Sequence, residues 1–247
     1  MSEATYHLDA LRTADVPLHS RAESWIDHVT GNQGPLSYVF PSDKGDFRGS
    51  TRVARFDEHQ MVEFESEPIT YQRTTQHLKS TDFGDRVGLI IPMIGDVVVD
   101  QMDTQIMLKR GSLGVISMAR PLTFAHSDPA RIRLLTFPHE EISTILLRGA
   151  PIAAEQWRGT LSAVSVMAGT LVHRANMMNG PEFVAVTTHL IELLTLALRV
   201  QPSRHLGQGD PLGRGVRAHI ADHADDSKTP TSRTPYSRSP STPVSDR

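Results

Sequence analysis

The 247-residue chain contains no cysteine. Disulfides, thiolate nucleophiles and cysteine-ligated zinc or iron–sulfur centres are therefore excluded. No secretion leader is expected, because "MSEATYHLDALRTADVP" has neither a basic start nor an apolar stretch. The chain also lacks long hydrophobic runs. "VGLIIPMIG" and "LIELLTLALRV" are the longest, too short to span a bilayer. A cytoplasmic location without a membrane partner is the expectation. Positive charge is not in excess either: the net charge is −3, which gives the whole chain no electrostatic attraction to nucleic acid.

Catalytic signatures are missing in the same way. No His-x-His pair occurs in the strand-rich region and no H-E-x-x-H anywhere; His59, His77 and His126 stand singly. No G-x-S-x-G elbow, no phosphate-binding G-x-x-x-x-G-K-[ST] and no G-x-G-x-x-G after a strand is present. Glu63 and Glu65 alternate as a solvent-facing strand would place them. The residues point to no metal, no cofactor and no enzyme, although a non-metal barrel could still do acid–base work.

What is present falls into segments. The composition, 38% hydrophobic and 21% charged, suits a globular protein with a disordered portion. Residues 1–35 read as a lead-in and a helix. Ser20 is the expected N-cap, Glu23 completes a capping box, and Trp25, Ile26 and Val29 share an apolar face before "GNQGP" breaks it. Residues 36–138 read as ten short strands: "LSYVF", "GSTRVARF", "QMVEFES", "ITYQRT", "RVGLIIPMIG", "DVVVDQ", "QIMLKR", "LGVISM", "PLTFAH" and "RIRLLTF". Turn residues separate them at near-regular spacing, the pattern of a sandwich or barrel rather than of βαβ units.

Beyond residue 138 the period becomes helical. "EEISTILLRG" reads as a short helix ending at Gly149. Trp157, Leu161, Val164, Ala168, Leu171, Val172 and Ala175 form one stripe. After the break at 179–181, Val186, Leu190, Leu193, Leu194 and Ala197 recur at helix spacing. That last helix is apolar on more than one side, so these five residues are candidates for a dimer interface. Among the arginines, Arg73, Arg110 and Arg120 stand at strand ends or turns, where one or two could reach into a barrel mouth and grip an anionic group.

The order of motifs resembles the effector-binding half of AraC-type (AraC/XylS) transcriptional regulators. The residues concerned are the early "RAESWIDHV" helix, "YQRTTQHL" with Arg73-Thr74, "LKRGSLGVIS" with Arg110-Gly111-Ser112-Leu113, "ARPLTFAH" with Arg120-Pro121, and "RLLTFP". Lys109-Arg110 and Ser112 depart from that family's usual turn. The resemblance implies a mainly β fold with some α: a cupin-like β-barrel (jelly roll) over 15–140, followed by a two-helix dimerisation module over 141–200. It implies a small-molecule effector, with Arg73, His77 and Arg120 as effector-binding residues, and a homodimer or a heterodimer with full-length relatives. The competing reading is a stand-alone cupin-like enzyme, an isomerase or dioxygenase.

The C-terminal stretch changes character. Residues 201–212 read as a linker. "GRGVRAHIADHADD" (213–226) resembles the first helix of that family's DNA-binding domain, but neither helix-turn-helix unit follows. Specific DNA binding is expected to be lost or weak, because no element remains to enter a major groove. From Ser227 to Arg247, Ser, Thr and Pro make up roughly two thirds of the residues, a composition that cannot offset its ordering entropy and reads as disordered. Codons for 228–238, with Ser232 and Ser237 encoded by TCN, admit D-P-x-L-[ST]-x-x-x-L-A when read from each third base. Resequencing the locus tests this out-of-frame origin: an open shifted frame carrying a helix-turn-helix pattern is expected, and stop codons in that frame would end the idea.

Overall fold

The computed structural model describes residues 5–41, 46–80, 85–142, 151–154 and 159–200. The ten expected strands are all present, and the reason is local. Alternating Val, Ile and Phe give each run one apolar face, and residues that tolerate positive φ end it. Asp57 (φ 54°) turns β3 (Gly49–Phe56) into β4 (His59–Ser66), and Met102 and Asp103 (φ 52° and 59°) turn β7 (Val97–Gln101) into β8 (Thr104–Leu108). Gly95, at φ 77°, joins β6 (Arg86–Ile94) to β7.

Two antiparallel sheets result. The larger has the order β1-β3-β4-β11-β6-β9-β12 and the smaller β2-β5-β10-β7-β8. The remaining strands are β1 (His7–Arg12), β2 (Ser37–Val39), β5 (Ile69–Arg73), β9 (Leu113–Ser117), β10 (Leu122–His126), β11 (Ala130–Pro138) and β12 (Ile152–Ala154). β1 and β12, both edge strands, and the short helix α2 (Thr75–Lys79) were not expected from the sequence. The fold is cupin-like, as the resemblance implied.

Each face of the larger sheet builds a different core. Ile90, Ile116 and Ile132 turn inward and join Ile69, Tyr71, Val99 and Phe124 of the smaller sheet. Ala54, Met61, Leu89, Leu135 and Phe137 turn outward, against helices α3 (Thr160–Arg174) and α4 (Gly180–Val200). Also outward lies the partly buried pair Arg133–Glu63, Nε to Oε2 2.8 Å. Gly169 of α3 gives it room, since a Cβ there would stand 3.0 Å from the Arg133 Nη1.

Several expectations shift. Helix α1 (Arg21–Gln33) does have Ser20 at its N-cap, but that side chain makes no capping bond. A 3-10 turn over Leu18–Ser20 leads straight into the helix and holds Ser20 at ψ −2°, away from the extended geometry a capping side chain uses. The capping box sits instead at Thr74 and His77 in α2. Gly31 lies within α1, which Gly34 ends at φ 77°. Residues 143–150, Trp157 and 201–247 lie outside the described residues, so the short helix before Gly149, the linker, the remnant helix and the tail are not described. The chain divides into two units, Met1–Gly209 and Asp210–Arg247.

Two features of the apolar helix lie beyond what its spacing alone gives. By length and composition, residues Gly180–Arg199 are long and apolar enough to cross a membrane, with mean hydropathy 1.4; the uninterrupted run alone understated this because Thr and His interrupt it without lowering the mean far. The face is not free, however. Leu190, Leu194 and Ala197, expected at a dimer interface, are 0%, 0% and 4% exposed in the chain's own core, while Val186 and Leu193 are half-buried at its margin. Leu190→Ala should therefore cost about 2–5 kcal/mol of stability by leaving a cavity. Urea unfolding checks this; a loss below about 0.5 kcal/mol would place Leu190 outside the core.

Candidate functional site

Trp25, His28, Val29, Asn32 and Gln33 recur at i, i+3, i+4, i+7 and i+8, so they share one face of α1. That face covers a cavity of about 80 Å³ between the two sheets. Val53, Val62, Phe64 and Leu134 of the larger sheet and Tyr71 and Phe124 of the smaller one form much of the remaining wall, which is almost wholly apolar. The rings are interlocked: Tyr71 and Phe124 centroids are 5.8 Å apart, and Phe64 lies 6.2 Å from each.

Hydrogen bonds fix the helix to strands around it. Trp25 Nε1 donates to the Tyr71 hydroxyl (3.2 Å). His28 Nε2 and Thr51 Oγ1 lie 2.5 Å apart, and Asn32 Nδ2 donates to Asp9 Oδ2 (3.1 Å). Gln60 Nε2 donates to the Asn32 carbonyl (3.0 Å) and Arg73 Nη2 to the Gln33 carbonyl. These two carbonyls belong to the last turn of α1, which has no internal donors for them and whose dipole favours a cation. Because the Asn32 carbonyl can only accept, the Gln60 amide is oriented with Oε1 toward Gln33, whose Nε2 donates to it (2.7 Å).

Burial governs the ionisable groups. It lowers the Arg73 guanidinium to about 10, so that it remains charged at neutral pH. It pushes the Tyr38 hydroxyl up to about 12, against the hydrogen bond from Thr30. It lowers the His28 imidazole against the opposing carboxylate of Asp9, 3.5 Å away. His126, beside Ser66 and the Asp128 carbonyl, is lowered for the same reason.

Of the expected effector residues, only Arg73 reaches the cavity wall. His77 is spent in the α2 capping box, where its Nδ1 accepts from the Thr74 N–H (3.2 Å). Arg120 sits after β9 against the Met102 sulfur, and Arg110 is exposed. Neither lines the cavity. Trp25, His28, Asn32, Gln33 and Tyr71 were missed. The regular spacing of the first four along α1 was the available signal. Among the described residues, no three His, Asp or Glu side chains gather as a metal site needs.

The AraC-binding-like domain family matches residues 25–237. The crystal structure of the AraC-like transcriptional activator CuxR superposes with a TM-score of 0.65 at 14% identity, over 91% of this chain and 82% of that one. This likeness is one of fold. Shorter overlaps occur with the Clostridium difficile EutQ protein (TM-score 0.30, 15% identity, 39% of this chain and 72% of that one). Another is with a cupin domain of an XRE family transcriptional regulator from Enterobacter cloacae (0.28, 11%, 42% and 96%). No curated protein matches the chain.

The lowered histidines set a pH dependence. An unfolded chain takes up protons near pH 6.5, before His28 and His126 can in the fold, so stability is full above about pH 6.5 and declines below it. The melting temperature should fall between about pH 7 and about pH 5.5, with a shallower slope in His28→Asn and in His126→Asn. A melting temperature that rises over that interval contradicts this account.

Proposed function

The chain belongs to the AraC-binding-like family, and from that premise we propose that residues 15–140 are the effector-sensing domain of an AraC-type transcription regulator. Residues 141–200 are its dimerisation module. The observation that carries the reading is the apolar cavity between α1 and both sheets, because pockets of this kind hold small molecules in the mouths of β-barrels. Arg73 belongs to its wall. On this reading the protein is a cytoplasmic regulator region and not an enzyme.

The dimer contact uses what the helix pair leaves outside its own core: the margin residues Val186 and Leu193, with Val166 and Leu196, which are 67% and 53% exposed. Apolar side chains left this open favour a partner surface, either a second copy or a full-length relative. Residues 201–212 act as linker and 213–226 as the remnant of a DNA-domain helix. The chain on this reading regulates through pairing and binds specific DNA weakly at most.

Two measurements test this. Sedimentation velocity should give a dimer whose dissociation constant rises at least about tenfold in Leu193→Glu/Leu196→Glu; a monomer at every concentration contradicts the module. Gel shifts should give weak binding that varies less than about tenfold among DNA sequences and fades with salt. Tight binding selective for one sequence would overturn the loss of DNA reading.

A further inference from the structure

Resting on the reading of the barrel cavity as the effector site, we propose that its ligand is a neutral, apolar molecule of at most about five heavy atoms. Neither a carboxylate nor a sugar fits the wall. The polar side chains that border the cavity are committed to holding α1: His28 to Thr51, Asn32 to Asp9, Gln33 to Gln60, and Tyr71 to the Trp25 indole. Arg73 turns Nη2 to the Gln33 carbonyl. The Gln33 Oε1 and the Arg73 Nη1 are both fully covered, so neither offers a ligand a contact. What faces the hollow is therefore carbon.

A charged or hydroxylated ligand entering such a space gives up its hydration without a replacement, which is costly for a hydroxyl and far more so for an ion. A neutral apolar ligand loses little on leaving water and gains contacts on every side. Size narrows the class further. A cavity of about 80 Å³ is about half the roughly 150 Å³ of an engineered apolar cavity that takes benzene. Larger hollows of about 300 and 410 Å³ exist on the outer face, yet they are lined by residues such as Arg52, Asp9 and His173, and by Glu65 and Arg131 in the second. Glu65 and Arg131 pair with each other at 2.6 Å, and both hollows suit water better.

Probes matched in size and differing in charge test the inference on the full chain. Cyclopentane and n-pentane should raise the melting temperature, and titration should give them at least about tenfold tighter binding than butyrate or butylammonium. Leu134→Phe and Ile116→Phe, which fill the cavity, should abolish the shift while keeping a cooperative melt. If butyrate or butylammonium binds as tightly as the hydrocarbons and either filling variant removes it, the ligand class is overturned and the effector-site reading stands. If hydrocarbon binding survives both filling variants, the ligand sits elsewhere and the inference fails. If no probe and no member of a broad polar collection binds, both readings fall.

Discussion

The last carbonyls of α1 have no donors within their own helix, and the two sheets supply them from opposite sides. Gln60 comes from β4 of the larger sheet and Arg73 from β5 of the smaller. One helix end thereby holds both sheets at a set distance. Everything at the site depends on this. The spacing leaves an apolar hollow rather than a filled core, and the helix face that closes it is fixed by its own period. The Trp25 indole adds a third tie to Tyr71 and lies so close to Gly49 that a Cβ there would stand 2.6 Å from the ring.

The same strands carry the other half of the molecule. Because strand side chains alternate, Val62, Phe64 and Leu134 line the cavity while their neighbours Met61, Glu63, Arg133 and Leu135 turn outward. Met61 and Leu135 meet the core that α3 and α4 complete, and Gly169 of α3 lies over the Arg133 guanidinium. The cavity wall and the helix-bearing face are thus separated by one residue's thickness of sheet. A ligand that displaced β4 or β11 would meet the helix pair at close-packed contacts, which shift in discrete steps more readily than they deform.

Ten strands were legible because alternation and turn residues are local signals, and the two long helices were legible because their stripes are. β1 escaped because an edge strand with His7, Asp9 and Arg12 on it needs no apolar face. β12 is three residues long, too short to show a period. The site was barely legible. Arg73 was found from its position at a strand end, but its role at the end of α1 required knowing that residues forty apart in sequence meet. His77 and Arg120 matched the family pattern by sequence and are used locally. Leu190, Leu194 and Ala197 have the spacing of an interface and of a core alike; only the position of the larger sheet decides between them.

The central claim is that α1 covers an apolar, ligand-sized space inside the barrel, and a crystal equilibrated under xenon gas reads that space directly. The account predicts xenon density between Trp25, Phe64 and Leu134, against the underside of α1, with the helix and its ties to Gln60 and Arg73 unmoved. Ordered, hydrogen-bonded water in that position, with xenon only at other sites, would contradict it.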